Sequence, residues 1–281
     1  MEQAEKKQLE INACKVRRGI IEGVYHAKSG HPGGSLSAAD ILTYLYFNVM
    51  NIDPAKPGDP SRDRFVLSKG HAAPALYSVL AARGYFPMAQ MKTLRKPDSI
   101  LQGHPDMRKV PGVDMSTGSL GQGISAASGM ALGGKLSGET YRVFTMLGDG
   151  ELQEGQVWEA AMFAAHKKLD NFVAVVDNNN LQIDGTLDEV NSPYPIPEKF
   201  AAFGWHVIEI DGHDFDAIAR AFAEADTIKG KPTVIVATTV KGKGVSFMEN
   251  ACGWHGVAPN EEQYRAAAAE LDEKLKMLEG K

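Results

Sequence analysis

A short series of apolar runs limits most severely what this chain can fold into. "RFVLS" (64–68), "YRVFTML" (141–147), "FVAVVD" (172–177) and "TVIVATT" (233–239) are strand-length, and a fifth run lies near 206–210. Runs this short suit strands better than helices. Runs with little polar alternation suit strands covered on both faces. Before, between and after them lie segments that read as helices: 4–28, 37–50, 71–84, 120–136, about 152–168, about 214–226 and about 261–279. Ser37 is placed as a helix cap and Gly84 as a helix stop. Strands alternating with helices predict an α/β fold: one doubly wound, mainly parallel sheet with helices on both faces. No internal repeat or low-complexity linker interrupts the chain, so residues 1–281 are expected to form a single domain.

Composition removes several function classes. The 281 residues carry a net charge of −5, which gives no electrostatic footprint for nucleic acid or an anionic membrane. No stretch approaches the ~20 apolar residues of a membrane span. The N-terminus is charged from its second residue, unlike a signal peptide. Two cysteines, Cys14 and Cys252, make no disulfide framework and suit a reducing compartment. A cytoplasmic location is expected.

The loops after two of the strands carry the first chemical signal. "LGDGELQEG" (147–155) follows one strand and "DNNNLQIDG" (177–185) follows the next. In parallel α/β sheets ligands bind at the C-terminal ends of strands, and both loops fall on that rim. Asp149 and Asn179 are thirty positions apart, one strand–helix–strand unit. Carboxylate and amide oxygens on neighbouring strand ends suit a hard cation such as Mg2+, which usually keeps phosphate among its ligands. Gly148 and Gly150 let the backbone approach a ligand, and a helix starting near 152 would turn its positive end toward phosphate. Each loop alone reads as an ordinary glycine- or Asx-rich turn. The pair, at this spacing, reads as a site for Mg2+ and a diphosphate.

Four of the eight histidines sit in glycine-bracketed loops: His31 in "SGHPGG", His71 in "SKGHAA", His104 in "QGHPDM" and His255 in "CGWHGV". Such loops approach ligands, and imidazole transfers protons near neutral pH. A zinc site is the competing reading, and the short ligand pairs it needs are missing. The loop "LQGHPDMRKVPGVDMSTGSLGQG" (101–123) is too long and irregular to be a plain connection. "TTVKGKGVSF" (238–247) follows a strand and could cradle phosphate, though it lacks Walker A spacing; "GSLGQG" (118–123) lacks the dinucleotide pattern.

Taken in order, these motifs resemble transketolase. "GDGELQEG…DNNNLQIDG" is similar to the thiamine-diphosphate motif, and "SGHPGG", "LSKGHAAPALYSVL", "GHPD…PGVDMSTGSLGQG" and "WHG" resemble successive transketolase signatures from about residue 15 to 260. The resemblance implies thiamine diphosphate as cofactor with Mg2+, for which Ca2+ or Mn2+ can substitute. It implies Asp149, the Asn179 side chain and the Leu181 carbonyl as metal ligands. It places Gly150, His71 and His255 at the diphosphate and Gly118 and Leu120 beside the cofactor's rings, with Gly148 and Ser119 also among the cofactor-binding residues. His31, His71, His104 and His255 would line the sugar channel and shuttle protons, and Glu154 would meet a second copy across a dimer interface near the cofactor. Ser119 stands where the family commonly has Pro. The "VKGKG" loop is also similar to 1-deoxyxylulose-5-phosphate synthase.

A full transketolase is more than twice this length. Its pyrimidine-binding domain supplies the Glu that activates the cofactor, the aromatic residues around the pyrimidine and the sugar-phosphate ligands. The resemblance therefore implies the N-terminal subunit of a split transketolase, working in the pentose phosphate pathway with a C-terminal subunit that carries the pyrimidine domain. A heterotetramer with two copies of each chain is expected, with sugar phosphates as small-molecule partners. Two alternatives stay open: the same cofactor chemistry on another substrate, as an unusual or sulfonated sugar transketolase or a 1-deoxyxylulose-5-phosphate-synthase-like enzyme, and a non-catalytic diphosphate-domain binding partner. Intact Asp149, Asn179 and loop histidines weigh against the second.

Overall fold

Successive side chains of a strand point to opposite faces of the sheet, so each apolar run feeds two cores at once. The structure, a computed structural model, describes residues 1–280. One all-parallel sheet contains β1 (Arg64–Leu67), β2 (Val143–Gly148), β3 (Phe172–Asn178), β4 (His206–Asp211) and β5 (Thr233–Thr238), in the order β1-β2-β3-β5-β4. Phe144, Val173, Val175 and Ile235 enter one core, while Val143, Phe172, Val176 and Val234 enter the other. The expected α/β architecture is present.

The helices are α1 (Gln3–Ala27), α2 (Pro32–Ser37), α3 (Ala39–Tyr44), α4 (Ala73–Arg83), α5 (Gln122–Leu136), α6 (Gly155–His166), α7 (Leu187–Val190), α8 (Ile196–Ala202), α9 (Phe215–Thr227) and α10 (Glu261–Glu279). Residues of α1, α3, α4, α9 and α10 build the first core, and residues of α5, α6 and α8 build the second. Among the described residues no helix is long and apolar enough to cross a membrane.

Three boundaries differ from those the sequence predicts. Residues 29–37 are not all loop, because Pro32–Ser37 is helical with Pro in its first turn, where a missing N–H costs nothing. Ser37 ends that helix and caps nothing; its hydroxyl instead donates to the Asp177 carboxylate at 2.6 Å. Gly33 is required by packing, since a Cβ there would lie 2.9 Å from the Trp254 carbonyl oxygen. The helix expected from about 152 starts at Gly155, and a 3-10 turn over Gly150–Gln153 precedes it. The positive helix end is thus displaced from the place the sequence suggests. Apolar spacing does not predict helices α7 and α8; both are short, and α7 is held by a capping box between Thr186 and Glu189.

Candidate functional site

Four strands deliver polar residues to one rim. Ser68 and Lys69 follow β1, Asp149 to Glu151 follow β2, Asn179 to Gln182 follow β3, and Lys241 follows β5. All of these except Ser68 and Asn180 line a cavity of about 360 Å3 with His31, His71, Gly118, Leu120, Gly148, Glu154 and His255. Nearly every sequence-predicted site residue is therefore brought to one place. His104 and Ser119 lie outside the cavity lining and are exposed. His104 stands next to the lining all the same, since a Cβ on Gly118 would come within 3.2 Å of its ring. Glu154 is exposed at the rim beside Gly121, and its carboxylate finds no polar partner among the described residues.

Asp149 is 2% exposed. Its carboxylate accepts the backbone N–H of Gly150 at 2.8 Å and of Asn180 at 2.5 Å. Burial and the nearby Asp177 push its acid up to about 6, against the pull of those N–H groups and Lys241. Lys241 and the two N–H groups do not offset that burial, so further positive charge would stabilise the carboxylate. The Asn179 side-chain oxygen accepts from the Leu181 N–H at 3.2 Å. One carboxylate, one amide oxygen and one carbonyl are a set of hard oxygen donors and suit Mg2+ completed by phosphate and water. The Leu181 carbonyl accepts from the Lys241 ammonium at 2.7 Å, so a positive charge already stands at that corner.

Lys241 is 2% exposed, and its ammonium also donates to His255 Nδ1 at 2.8 Å. Because ammonium can only donate, His255 carries its own proton on Nε2. Burial, reinforced by Lys69, lowers Lys241 to about 8 despite Asp149 and Asp177. A buried, partly paired lysine beside a carboxylate is suited to an incoming anion. His31, His71 and His255 form a triangle with ring centroids 5.2 to 5.6 Å apart. Burial, then neighbouring positive charge, lowers His31 to about 4 and His255 to about 3, and lowers His71 well below the ordinary value. All three are neutral at pH 7, and each can give and take one hydrogen bond. The Nδ1 of His31 is buried without a partner, as is the Gln182 side-chain nitrogen. Orphaned donors and acceptors on a cavity wall fit a polar ligand.

Several site residues are not legible from the sequence. Asp177 is fully buried and pairs with Lys69, itself 1% exposed; the hydroxyls of Ser37 and Thr239 complete its shell. The Lys69 ammonium also donates to the Gly34 carbonyl at 2.8 Å. Glu151 is 2% exposed and accepts from Ser68 Oγ, from the Gly121 N–H at 2.9 Å and from the Gly148 N–H at 3.1 Å. It ties the ends of β1 and β2 to the start of α5, and burial raises its acid. A charge closing a buried strand flags Asp149, and the same signal is present at Asp177. Lys241 lies in the loop that reads as a phosphate cradle, but residue type and spacing alone give it no role.

Known proteins place this architecture. A family profile described as "Transketolase, thiamine diphosphate binding domain" matches residues 7–274. The chain is 48% identical over 264 residues to a 6-deoxy-6-sulfo-D-fructose transketolase subunit of Clostridium sp. (strain MSTE9), covering 94% of this chain and 96% of that one. It is 44% identical over 271 residues to an apulose-4-phosphate transketolase subunit of Phocaeicola vulgatus, covering 96% of each. Against human transketolase the identity is 44% over 256 residues, and the chain spans only 40% of that protein's length. The solved structure of transketolase from Campylobacter jejuni superposes with a TM-score of 0.88 at 34% identity, over 94% of this chain and 42% of the other. With the profile spanning nearly the whole chain and two relatives matched from end to end, the chain belongs to the transketolase family, as its thiamine-diphosphate-binding domain.

Proposed function

We propose that residues 1–281 act as one domain, the N-terminal subunit of a two-chain transketolase in the cytoplasm. The carrying observation is the convergence of Asp149, Asn179, the Leu181 carbonyl and Lys241 on neighbouring strand ends, against a triangle of neutral imidazoles. Asp149, Asn179 and Leu181 would hold Mg2+. Lys241, with Gly148, Gly150, His71 and His255, would hold the diphosphate, and Gly118, Ser119 and Leu120 would flank the cofactor's rings. When bound, thiamine diphosphate supplies the electron sink that lets a ketose part with a two-carbon unit.

The chain's own groups then bind and move protons. His31, His71, His104 and His255 accept and donate hydrogen bonds to sugar hydroxyls and carry protons to and from the donor's carbonyl and neighbouring hydroxyl. Neutral rings suit that task, because a neutral imidazole keeps both an acceptor and a donor. Glu154, exposed at the rim, belongs to the surface where a second copy docks. Partner dependence is supported by the two relatives named as subunits, each matched along 96% of its length.

The test is calorimetric titration of the full chain, mixed with its partner subunit, with thiamine diphosphate and Mg2+. Asp149→Ala is expected to weaken binding about a hundredfold or more, as expected for loss of a metal ligand together with its charge. Unchanged affinity in that variant removes the metal assignment.

A second reading concerns the sugar alone. The two subunit-length relatives are named for a sulfonated ketose and for apulose 4-phosphate, so this chain's substrate can also be an unusual or sulfonated sugar. Rates of the reconstituted pair on a panel of phosphorylated and sulfonated sugars decide between them.

A further inference from the structure

Outside the cavity lining, a chain of side chains joins four distant segments around the loop that carries Lys241. Arg17 on α1 is 8% exposed and Asp40 on α3 is 5% exposed. The two terminal nitrogens of Arg17 donate to the two carboxylate oxygens of Asp40 at 2.8 and 2.6 Å. Asp40 also contacts His213 Nδ1 at 2.7 Å, and His213 Nε2 meets the backbone N–H of Val240 at 2.9 Å. Arg17 Nε returns to the loop and donates to the Lys243 carbonyl at 2.9 Å.

The hydrogen-bond directions are fixed by chemistry. The Val240 N–H can only donate, so His213 Nε2 must accept and Nδ1 must carry the proton that Asp40 receives. Only one neutral tautomer satisfies both partners. Its acceptor and the Arg17 Nε–H grip the loop at residues 240 and 243, one on each side of Lys241. Other backbone bonds close the loop, from Gly242 N–H to the Gly33 carbonyl at 3.0 Å and from Asn250 N–H to the Lys241 carbonyl at 2.8 Å. A lysine side chain has four carbons and free rotation, so where its ammonium rests depends on where its backbone is held.

We propose that His213, backed by Asp40 and Arg17, is a positioning residue that clamps the 240–243 loop and so fixes the Lys241 ammonium in the cavity. This rests on the proposed role of the cavity only for what Lys241 does once placed. None of Arg17, Asp40 and His213 lines the cavity. The clamp carries the position of the outer strand ends and of α1 and α3 into the site.

The experiment is competitive acylation of the full chain with acetic anhydride, with each lysine's labelling rate read by mass spectrometry. His213→Asn keeps a donor near Asp40 and cannot reach Val240; it is expected to raise Lys241 labelling about tenfold, the size of one lost backbone hydrogen bond. His213→Gln places an acceptor near the Val240 N–H and is expected to restore the slow rate. Arg17→Lys loses the Nε–H to Lys243 and is expected to act like His213→Asn, which keeps the test alive if that variant does not fold. Lys69, the other buried lysine of the site, reports general loosening and is expected to stay unchanged. Unchanged Lys241 labelling in both His213→Asn and Arg17→Lys, or Lys69 rising in step with Lys241, overturns the proposal. Adding inorganic pyrophosphate with Mg2+ separates the two ideas. Protection of wild-type Lys241 supports the cavity's proposed role, while its absence, with the variant effects intact, removes that role and leaves the clamp standing.

Discussion

The three clustered imidazoles show how burial sets chemistry one residue at a time. Each is lowered first by desolvation and then by nearby lysine or arginine charge, so each should stay neutral through the physiological range. Histidine-selective 15N NMR of the unliganded chain is expected to show the His31 and His255 rings without a titration between pH 5.5 and 8. A cluster ring titrating near 6.5 contradicts that electrostatic picture. Asp40 works in the opposite sense. Burial alone would raise it, but Arg17 and His213 win and hold it at about 2, below its usual 3.8. A depressed carboxyl contributes stability at pH above its unfolded value and loses it as pH falls through the folded one. Asp40 therefore contributes about 2 kcal/mol that should vanish between roughly pH 4 and 2. Denaturant melts at several pH values are expected to show a shallower acid loss in Asp40→Asn, with a lower plateau at pH 7 by about 3 kcal/mol because Arg17 is left buried without its partner. Equal acid slopes in the two proteins contradict the assignment. These residues also mark the limit of sequence reading. Asp149 and Asn179 are legible because each sits in a polar loop at a strand end. Asp40 and Lys69 find partners 173 and 108 positions away, and no local pattern announces such pairs.

At the scale of elements, strand ends and helix starts are packed tightly enough that glycine acts as a spacer. Gly123, in the first turn of α5, would place a Cβ 2.5 Å from the Ser68 Cα. Gly123→Ala must push α5 away from β1 and strain the Glu151 bonds that join them. A loss of about 1–3 kcal/mol in chemical unfolding is expected, as for other overpacked sites. A neutral result would show that the α5–β1 contact is softer than its geometry. Glycines of this kind explain why helices are less legible here than strands. The apolar runs locate all five strands; burial on both faces leaves a continuous signal in β1, β2, β3 and β5, while β4 at the sheet edge is only half-buried and its run is weaker. Pro32-Gly33-Gly34 reads as a loop by residue type, yet α2 forms there because it is buried and backed by Trp254 and Lys241. The start of α6 is displaced for a similar reason: Gly150 to Gln153 form a tighter turn that serves Glu151 and Asp149 before the α-helix begins.

For the molecule as a whole, one parallel sheet with two cores delivers chemistry to a single rim, and that rim holds groups suited to the metal and diphosphate end of a cofactor. The sheet, its parallel sense and the polar rim at its strand ends are readable from the alternation of runs and helices. The clamp on the Lys241 loop is not, because it is assembled from α1, α3 and the loops after β4 and β5. The central claim is that this chain supplies one half of a divided active site. The most direct measurement is two-carbon transfer from a ketose phosphate to an aldose phosphate, with thiamine diphosphate and Mg2+, by this chain alone and mixed with the proposed pyrimidine-domain partner. The account predicts no turnover above background for the chain alone, and turnover that rises with added partner to a fixed ratio. Full turnover by the chain alone contradicts it.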